Sequence, residues 1–345
     1  MVYKRFSLNF GQNLEYMCNL NIDNIFAIQD RYQFNDIAIK IFNYQAKHNP
    51  VYKAYLSYLK FNPTSVSELK QIPFLPIEFF KTHKIICGNK KIQKTFFSSG
   101  TTGMQRSNHH ITDISVYEKS FSLAFEMKYG NIQNYCILAL LPTYLENESS
   151  SLVYMVNHLI KQSGHNDSGF YLDNLDQLAK KLKTLDEDNH KVILIGVSYA
   201  LIDLAKNYPM NLQNTVIMET GGMKGKRKEL TKAELHQFLA SKLGVKNIHS
   251  EYGMTELLSQ AYSEQKGRFS TPPWMKILIR DTYDPFTFLE KGKSGGINII
   301  DLANVNSCSF IETKDLGKIY NDNTFEILGR LDNSDIRGCN LLVAD

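Results

Sequence analysis

Apolar and polar positions alternate along the chain in three successive patterns. In FNDIAIKIFNYQAKHNPVYKAYLSYL (34–59), Ile37, Ile41 and Tyr44 recur on one helical face, and Asn49-Pro50 breaks the run. IPFLPIEFFKTHKI (72–85) is apolar and carries Pro73 and Pro76, so it reads as an extended, packed connector. From residue 95 a strand-then-helix rhythm begins. TFFSS (95–99), YCILALLP (135–142), KVILIGV (191–197) and NTVIME (214–219) read as strands. VYEKSFSLAFEMKY, SLVYMVNHLIKQS, YALIDLAKNY and KAELHQFLASKLG read as helices between and after them. Ser115-x-x-Glu118 and Thr231-x-x-Glu234 have capping-box spacing, and Gly244 is placed to close the last helix. Apolar strands alternating with helices predict an α/β fold, with a mainly parallel sheet covered on both faces.

Past about residue 270 the rhythm changes. KILIRD, GGINIIDL, SCSFIETKDLGKIY and TFEILGRLD are strand-like and separated by Gly, Asn and Asp turns, which predicts an antiparallel sheet or small barrel. The expected organisation is a helical region (1–70) packed on the core, an α/β body (71–270) and a β-rich subdomain (271–345) whose tail carries Cys339.

Composition removes several classes. The 345 residues are 43% hydrophobic and 21% charged, with a net charge of +4. That charge is too small to suggest dedicated nucleic-acid binding, and the densest basic run, Lys224-Gly225-Lys226-Arg227-Lys228, reads as a solvated turn. No stretch approaches the ~20 apolar residues of a membrane span, and the first residues lack the apolar core of a signal peptide. The five cysteines (18, 87, 136, 308, 339) are far apart and never spaced as CxxC, which fits a reducing cytoplasm and not a zinc or disulfide framework.

Five short stretches can carry chemistry. In Phe97-Ser98-Ser99-Gly100-Thr101-Thr102-Gly103 two glycines allow amide N–H groups to approach an anion, and four hydroxyls can donate to phosphate oxygens. The same composition also suits an ordinary loop. Tyr252-Gly253-Met254-Thr255-Glu256 offers a ring to stack on a purine, a hydroxyl for phosphate and a hard oxygen for Mg2+. It can equally begin a helix TELLSQAY with Thr255 as its cap. Glu219-Thr220-Gly221-Gly222 ends a strand with glycines that permit close approach of a flat ring. Thr313-Lys314-Asp315-Leu316-Gly317 reads as a turn whose carboxylate can accept from a ribose diol. In Gly329-Arg330-Leu331-Asp332, Arg330 can bridge ribose and phosphate.

In order and separation, these five resemble the motifs of the adenylate-forming superfamily of acyl-CoA synthetases and related ligases. SSGTTG looks like the phosphate loop, YGMTE like the tyrosine–threonine–glutamate motif, TKD like the ribose-binding TGD-type turn and GRLD like the terminal GR-x-D segment. IPFLPIEFFK, LLPTYLENESSSLVYM, METGGMKG, SEYGMTELLSQAY, IIDLAN and GRLDNSDIRGCNLL narrow the resemblance to the LuxE-like acyl-protein synthetases, from about residue 70 onward. The resemblance implies the large-domain fold of adenylate-forming enzymes with a small C-terminal β-barrel-like subdomain. Larger ligases continue past the GR-x-D segment into a mobile domain with a catalytic lysine; here that domain is expected to be absent. Lys314 stands where the TGD-type turn has glycine.

The function implied is activation of a fatty acid by ATP and Mg2+, followed by acyl transfer to a protein thiol. Backbone N–H groups around Gly100–Gly103, Thr255 and Mg2+ held by Glu256 would neutralise developing charge; Asp315 and Arg330 would hold the ribose. Gly221, Gly222 and Tyr252 would enclose the adenine, with Gly253 beside them. Cys339, next to Arg337 on a terminal tail, is the expected nucleophile, as the family carries its acylated cysteine near the C-terminus. Leu341, Leu342 and Val343 could instead pin that tail to the sheet. His109-His110 could line the carboxylate site, though adjacent histidines on an extended chain point apart. A reductase-like acyl acceptor is the expected partner, and an oligomer is compatible. The competing readings are a free-standing acid–CoA or carrier-protein ligase and a non-catalytic nucleotide- or acyl-binding subunit. Glu256, Asp315 and Arg330 occurring together argue against the latter.

Overall fold

The computed structural model describes residues 21–99, 105–142, 148–172, 174–221 and 230–331. Three helices come first: α1 (Ile22–Phe26), α2 (Arg31–His48) and α3 (Pro50–Tyr58). Asn49 ends α2, and its side chain accepts from the N–H groups of Val51 and Tyr52 to cap α3. Pro50 fits that first turn because its missing N–H has no helical partner to lose. The buried Asn49 amide also donates to the Ser307 carbonyl, and buried Gln45 donates to the carbonyls of Asn304 and Val305. These helices therefore dock on the 302–309 segment through satisfied polar groups, with Phe42, Tyr52 and Phe74 packed around Phe310. The connector becomes β1 (Leu75–Pro76), parallel to residues 311–312, and the single turn α4 (Phe79–Thr82).

The strand read at 95–99 is not the first of the parallel series. β2 (Lys94–Phe97) and β3 (Asn108–Ile111) form an antiparallel hairpin of their own. Only Phe96 of β2 is buried, so this strand lacks the two apolar faces that a covered parallel sheet demands. The alternating series follows as α5 (Ile114–Tyr129), β4 (Cys136–Leu140), α6 (Ser151–Ser163), β5 (Gly169–Phe170) and α7 (Leu175–Glu187). It continues with β6 (Val192–Val197), α8 (Ser198–Asn207), β7 (Thr215–Thr220), α9 (Lys232–Leu243) and β8 (Ile248–Tyr252). β5, β4, β6, β7 and β8 lie side by side and parallel. Successive side chains point to opposite faces, and both faces are covered. Ile137, Ile193 and Met218 enter one core, while Leu138, Leu194 and Ile217 enter the other.

The remaining strands are β9 (Ala261–Ser263), β10 (Phe269–Ser270), β11 (Met275–Arg280), β12 (Ser294–Asp301), β13 (Phe310–Ile319) and β14 (Phe325–Arg330). They are antiparallel as the turn-separated pattern predicts, and their hydrogen bonding runs on through β14, β10 and β9 into β8. Thr231 and Glu234 form the expected capping box, and Gly244 closes α9 in the left-handed region at φ 70°. Ser115 and Glu118 form none. Asp113 caps α5 by accepting from the Ser115 N–H, and Glu118 instead accepts from the Tyr154 hydroxyl. No helix among the described residues is long and apolar enough to cross a membrane.

Candidate active site

Parallel β7 and β8 end together, with Thr220 in register with Glu251. Loops at the carboxyl ends of such strands are where open α/β sheets take ligands. Tyr252 closes β8 there, and its hydroxyl donates to Asp315 Oδ2 at 2.7 Å. Thr313-Lys314-Asp315 is not the turn that its composition suggested. It lies inside β13, just before a bulge at Leu316/Gly317, with Asp315 directly across from Arg330 of β14. Arg330 Nε is 3.6 Å from Asp315 Oδ1; the arginine side chain is 72% exposed and the aspartate 15%. Burial raises the Asp315 carboxyl pKa, and the Tyr252 hydroxyl and Arg330 pull it partly back. Lys314, the departure from the glycine pattern, reaches away to Glu78 at 2.5 Å.

The YGMTE segment leaves β8 as a turn and starts no helix. The amides that would continue a helix are taken elsewhere: Leu258 and Ser259 N–H groups donate to the buried Asp301 carboxylate at 2.7 and 3.0 Å. His109 Nδ1 donates to the Thr255 carbonyl at 2.7 Å, and Asn304 Nδ2 donates to the Glu256 carbonyl at 2.7 Å. The Glu256 side chain is buried; burial raises its carboxyl and a hydrogen bond with Ser107 lowers it. Burial holds the His109 imidazole down to about 4, so it is neutral. His110 points the other way, against the Thr95 hydroxyl, as neighbouring residues of a strand must.

The phosphate-loop candidate falls in sequence between β2 and β3, and of it Ser98 and Ser99 are among the described residues. Ser98 N–H donates to the Ser107 carbonyl, and Ser98 Oγ accepts from the Ser107 N–H at 2.9 Å, which closes the loop's base. Ser99 follows at that base. Because the Ser107 hydroxyl meets Glu256, the base of this loop abuts the YGMTE turn. Gly221 is left-handed at φ 69°, and its carbonyl accepts from Ser198 Oγ at 2.9 Å. Gly100, Thr101, Thr102, Gly103, Gly222 and Cys339 lie outside the described residues.

Two buried carboxylates beside the site, Glu219 and Glu251, were given no role from sequence. Glu219 pairs with Lys232 at 2.7 Å and His236 at 3.4 Å. Burial alone would raise its carboxyl, but His236 and Lys232 bring it down to about 2. Glu251 accepts from the Thr220 hydroxyl at 2.5 Å, and burial, which that hydrogen bond only partly offsets, pushes its carboxyl up to about 7. A Cβ on Gly253 would lie 2.5 Å from Glu251 Oε1, so any larger residue there would make the buried Glu251 carboxyl shift. The available signal was a glutamate near the end of a strand, after the apolar run VIM in TVIMET and beside His249 and Ser250 in IHSEY.

Cys87, Cys136 and Cys308 are buried. Burial raises all three thiols, Cys136 to about 11 and Cys308 to about 12, so none supplies a thiolate near neutral pH. An apolar cavity of about 10 Å3 beneath α5 and α6 is lined by Phe125, Ile137, Met155, Leu159, Met218 and Tyr262. No group of three or more His, Cys, Asp or Glu among the described residues could hold a metal. Mg2+ needs no such cluster, because it commonly takes one carboxylate and completes its shell with phosphate and water, and a single carboxylate such as Glu256 is a donor of that kind.

The fold is that of the adenylate-forming enzymes. An open conformation of 2-hydroxyisobutyryl-CoA ligase in complex with 2-HIB-AMP and CoA superposes at TM-score 0.62 and 12% identity, covering 88% of this chain and 70% of the ligase. ATP-bound MatB from Rhodopseudomonas palustris superposes at TM-score 0.54 and 16% identity, covering 70% of this chain and 49% of MatB. A chimera of that MatB, also with ATP bound, gives 0.55 with the same identity and coverage. The chain thus spans about half the length of the MatB structures. No curated protein matches it. The chain belongs to the LuxE acyl-protein synthetase family, whose model matches residues 22–345.

Proposed function

We propose that the chain activates a carboxylic acid, a fatty acid by family, with ATP and passes the acyl group to a thiol. The observation that carries this reading is the convergence of Tyr252, Asp315 and Arg330 with the buried Glu256 beyond β7 and β8. In the first step a substrate carboxylate oxygen bonds to the α-phosphorus of ATP, the bond from that phosphorus to the bridging oxygen breaks, and pyrophosphate leaves. Asp315, polarised between Tyr252 and Arg330, accepts from the ribose hydroxyls. Arg330 reaches the phosphate side because its guanidinium is exposed while its stem is anchored in β14. Thr255 and the amides of Gly100–Gly103, with Ser98, Ser99, Thr101 and Thr102, hold the phosphates; Gly221, Gly222 and the Tyr252 ring, with Gly253 beside them, enclose the base. Glu256 would hold Mg2+, which supplies charge neutralisation on the phosphates.

In the second step a thiolate bonds to the acyl carbonyl carbon, the bond to the AMP oxygen breaks, and AMP leaves. Cys339 is the proposed nucleophile, beside Arg337 in sequence; the raised thiols of Cys87, Cys136 and Cys308 support looking elsewhere than the core. A reductase-like protein or a carrier would then take the acyl group, in a cytoplasmic setting. The test is incubation with labelled fatty acid, ATP and Mg2+, comparing the parent chain with Cys339→Ser. Hydroxylamine-sensitive protein label that the substitution abolishes supports the reading. Label that goes to added CoA and ignores the substitution favours an acid–CoA ligase. Absence of acid-dependent pyrophosphate release refutes acyl activation altogether.

A further inference from the structure

Three buried residues line one small cavity behind the YGMTE turn, and each has a polar atom with no hydrogen bond of full geometry, although the His109 ring and the Asn304 side chain lie within reach of each other. The atoms are His109 Nε2, Asn304 Oδ1 and Thr112 Oγ1. His109 and Asn304 are fully buried and Thr112 is 7% exposed. Leaving such atoms unsatisfied costs about 1–3 kcal/mol each, so a folded protein rarely tolerates three together.

Their hydrogen-bonding roles follow from what their other atoms do. A carbonyl oxygen only accepts, so the bond to the Thr255 carbonyl puts the imidazole proton on Nδ1 and leaves Nε2 an acceptor. Asn304 gives its amide N–H to the Glu256 carbonyl, which makes the orphaned Oδ1 an acceptor as well. Thr112 carries a hydroxyl that can donate. Two acceptors and one donor match a molecule that donates twice and accepts once. The cavity that these residues line is about 10 Å3, the room that one water needs.

We propose that His109, Asn304 and Thr112 enclose one ordered water, and that this unit is a positioning device for the Thr255–Glu256 segment. Both halves of the unit face the candidate site through backbone. The water orients the imidazole and the amide, whose opposite edges hold the carbonyls of Thr255 and Glu256. The same short segment that presents Asn304 also carries Asp301, which binds the Leu258 and Ser259 amides, and receives Gln45 from α2. The N-terminal helices, which carry none of the candidate motifs, thereby brace the turn that bears Glu256. The water site stands independently of the proposed reaction; its effect on nucleotide use rests on that reading.

The first test needs no activity. A crystal structure of the parent chain at high resolution is expected to show one density peak within hydrogen-bond distance of all three atoms, and 15N-histidine NMR to report the Nδ1–H tautomer for His109. An empty cavity, or an Nε2–H tautomer, overturns the proposal. The second test separates the edges of the ring. Asparagine can place its amide where Nδ1 sits, and glutamine can place its own near Nε2, so His109→Asn retains the bond to Thr255 and His109→Gln loses it. Thr112→Val removes the water's donor without touching the turn. For variants that keep the parent melting temperature within a few degrees, His109→Gln and Thr112→Val are expected to raise KM for Mg-ATP in pyrophosphate release about five- to tenfold, the range of one lost hydrogen bond, with His109→Asn nearer the parent. Equal KM in all three refutes the positioning role. If the parent itself releases no pyrophosphate, the proposed reaction fails while density and tautomer still decide the water.

Discussion

Replacing Glu251 by glutamine is expected to change the way stability responds to pH. The carboxyl is buried, faces the Thr220 hydroxyl, and titrates near 7 in the folded chain against an ordinary value of 4.5. Between those values the folded protein holds a proton that the unfolded chain has released, so folding becomes less favourable as pH rises through the window. Proton linkage over this interval gives a destabilisation of about 1 kcal/mol at pH 5 and about 3 kcal/mol at pH 8. Glutamine has the size of the protonated acid and can still accept from Thr220, but it does not titrate. Glu251→Gln should therefore gain about 2.5 kcal/mol on the parent between pH 5 and pH 8. Urea denaturation at both pH values, with equal slopes in denaturant, measures the difference directly. Two stability profiles that run parallel across this range would refute the reasoning, because they would mean that Glu251 ionises in the folded chain as readily as in the unfolded one.

Tyr252→Phe keeps the ring packed near Phe269 and Phe325 but removes the donor to Asp315. A loss of about 1.5–3 kcal/mol in denaturant unfolding at neutral pH is expected for a hydrogen bond to a charged group; under 0.5 would mean the bond is not made. Gly253→Ala should cost about 1–3 kcal/mol through the Glu251 contact, and a double-mutant cycle with Glu251→Ala should recover most of it. Glu256→Ala should slow acid-dependent pyrophosphate release on the order of 100-fold, with little change in melting temperature once the loss of a buried carboxyl is allowed for. Unchanged release would remove Glu256 from the assigned metal role.

Much of the α/β architecture was legible because the signals were local. Runs such as CILAL and VILIGV have nowhere to go but a sheet covered on both faces, and Thr231 with Glu234 satisfies helix donors within four residues. Several local signals nevertheless lost to nearby competitors. Asp113 displaced Ser115 as the cap of α5, since it stands just before the helix and its carboxylate already accepts from the Ser115 amide. TKD reads as a turn by composition, yet pairing with β14 draws it into a ten-residue strand with a bulge. TFFSS reads like the other strands but carries one buried face, and it pairs with β3 alone.

By itself, the sequence determined which residue types exist to do the chemistry and where in the strand–helix rhythm they fall. A hydroxyl-rich glycine loop, an aromatic with a threonine and a glutamate, an aspartate and an arginine are each visible one at a time. What brings them together is decided by pairing across long separations. Tyr252 meets Asp315 over 63 residues of chain, and His109 meets Thr255 over 146. Only burial turns Glu251 into a weak acid beside a strong one in Glu219, because the dielectric and the neighbours of a carboxyl are properties of the packed structure. The same holds for the three unpartnered atoms behind the turn: Thr112 and Asn304 carry no signal in the sequence, His109 reads there only as a candidate lining residue, and packing brings the three residues to one cavity.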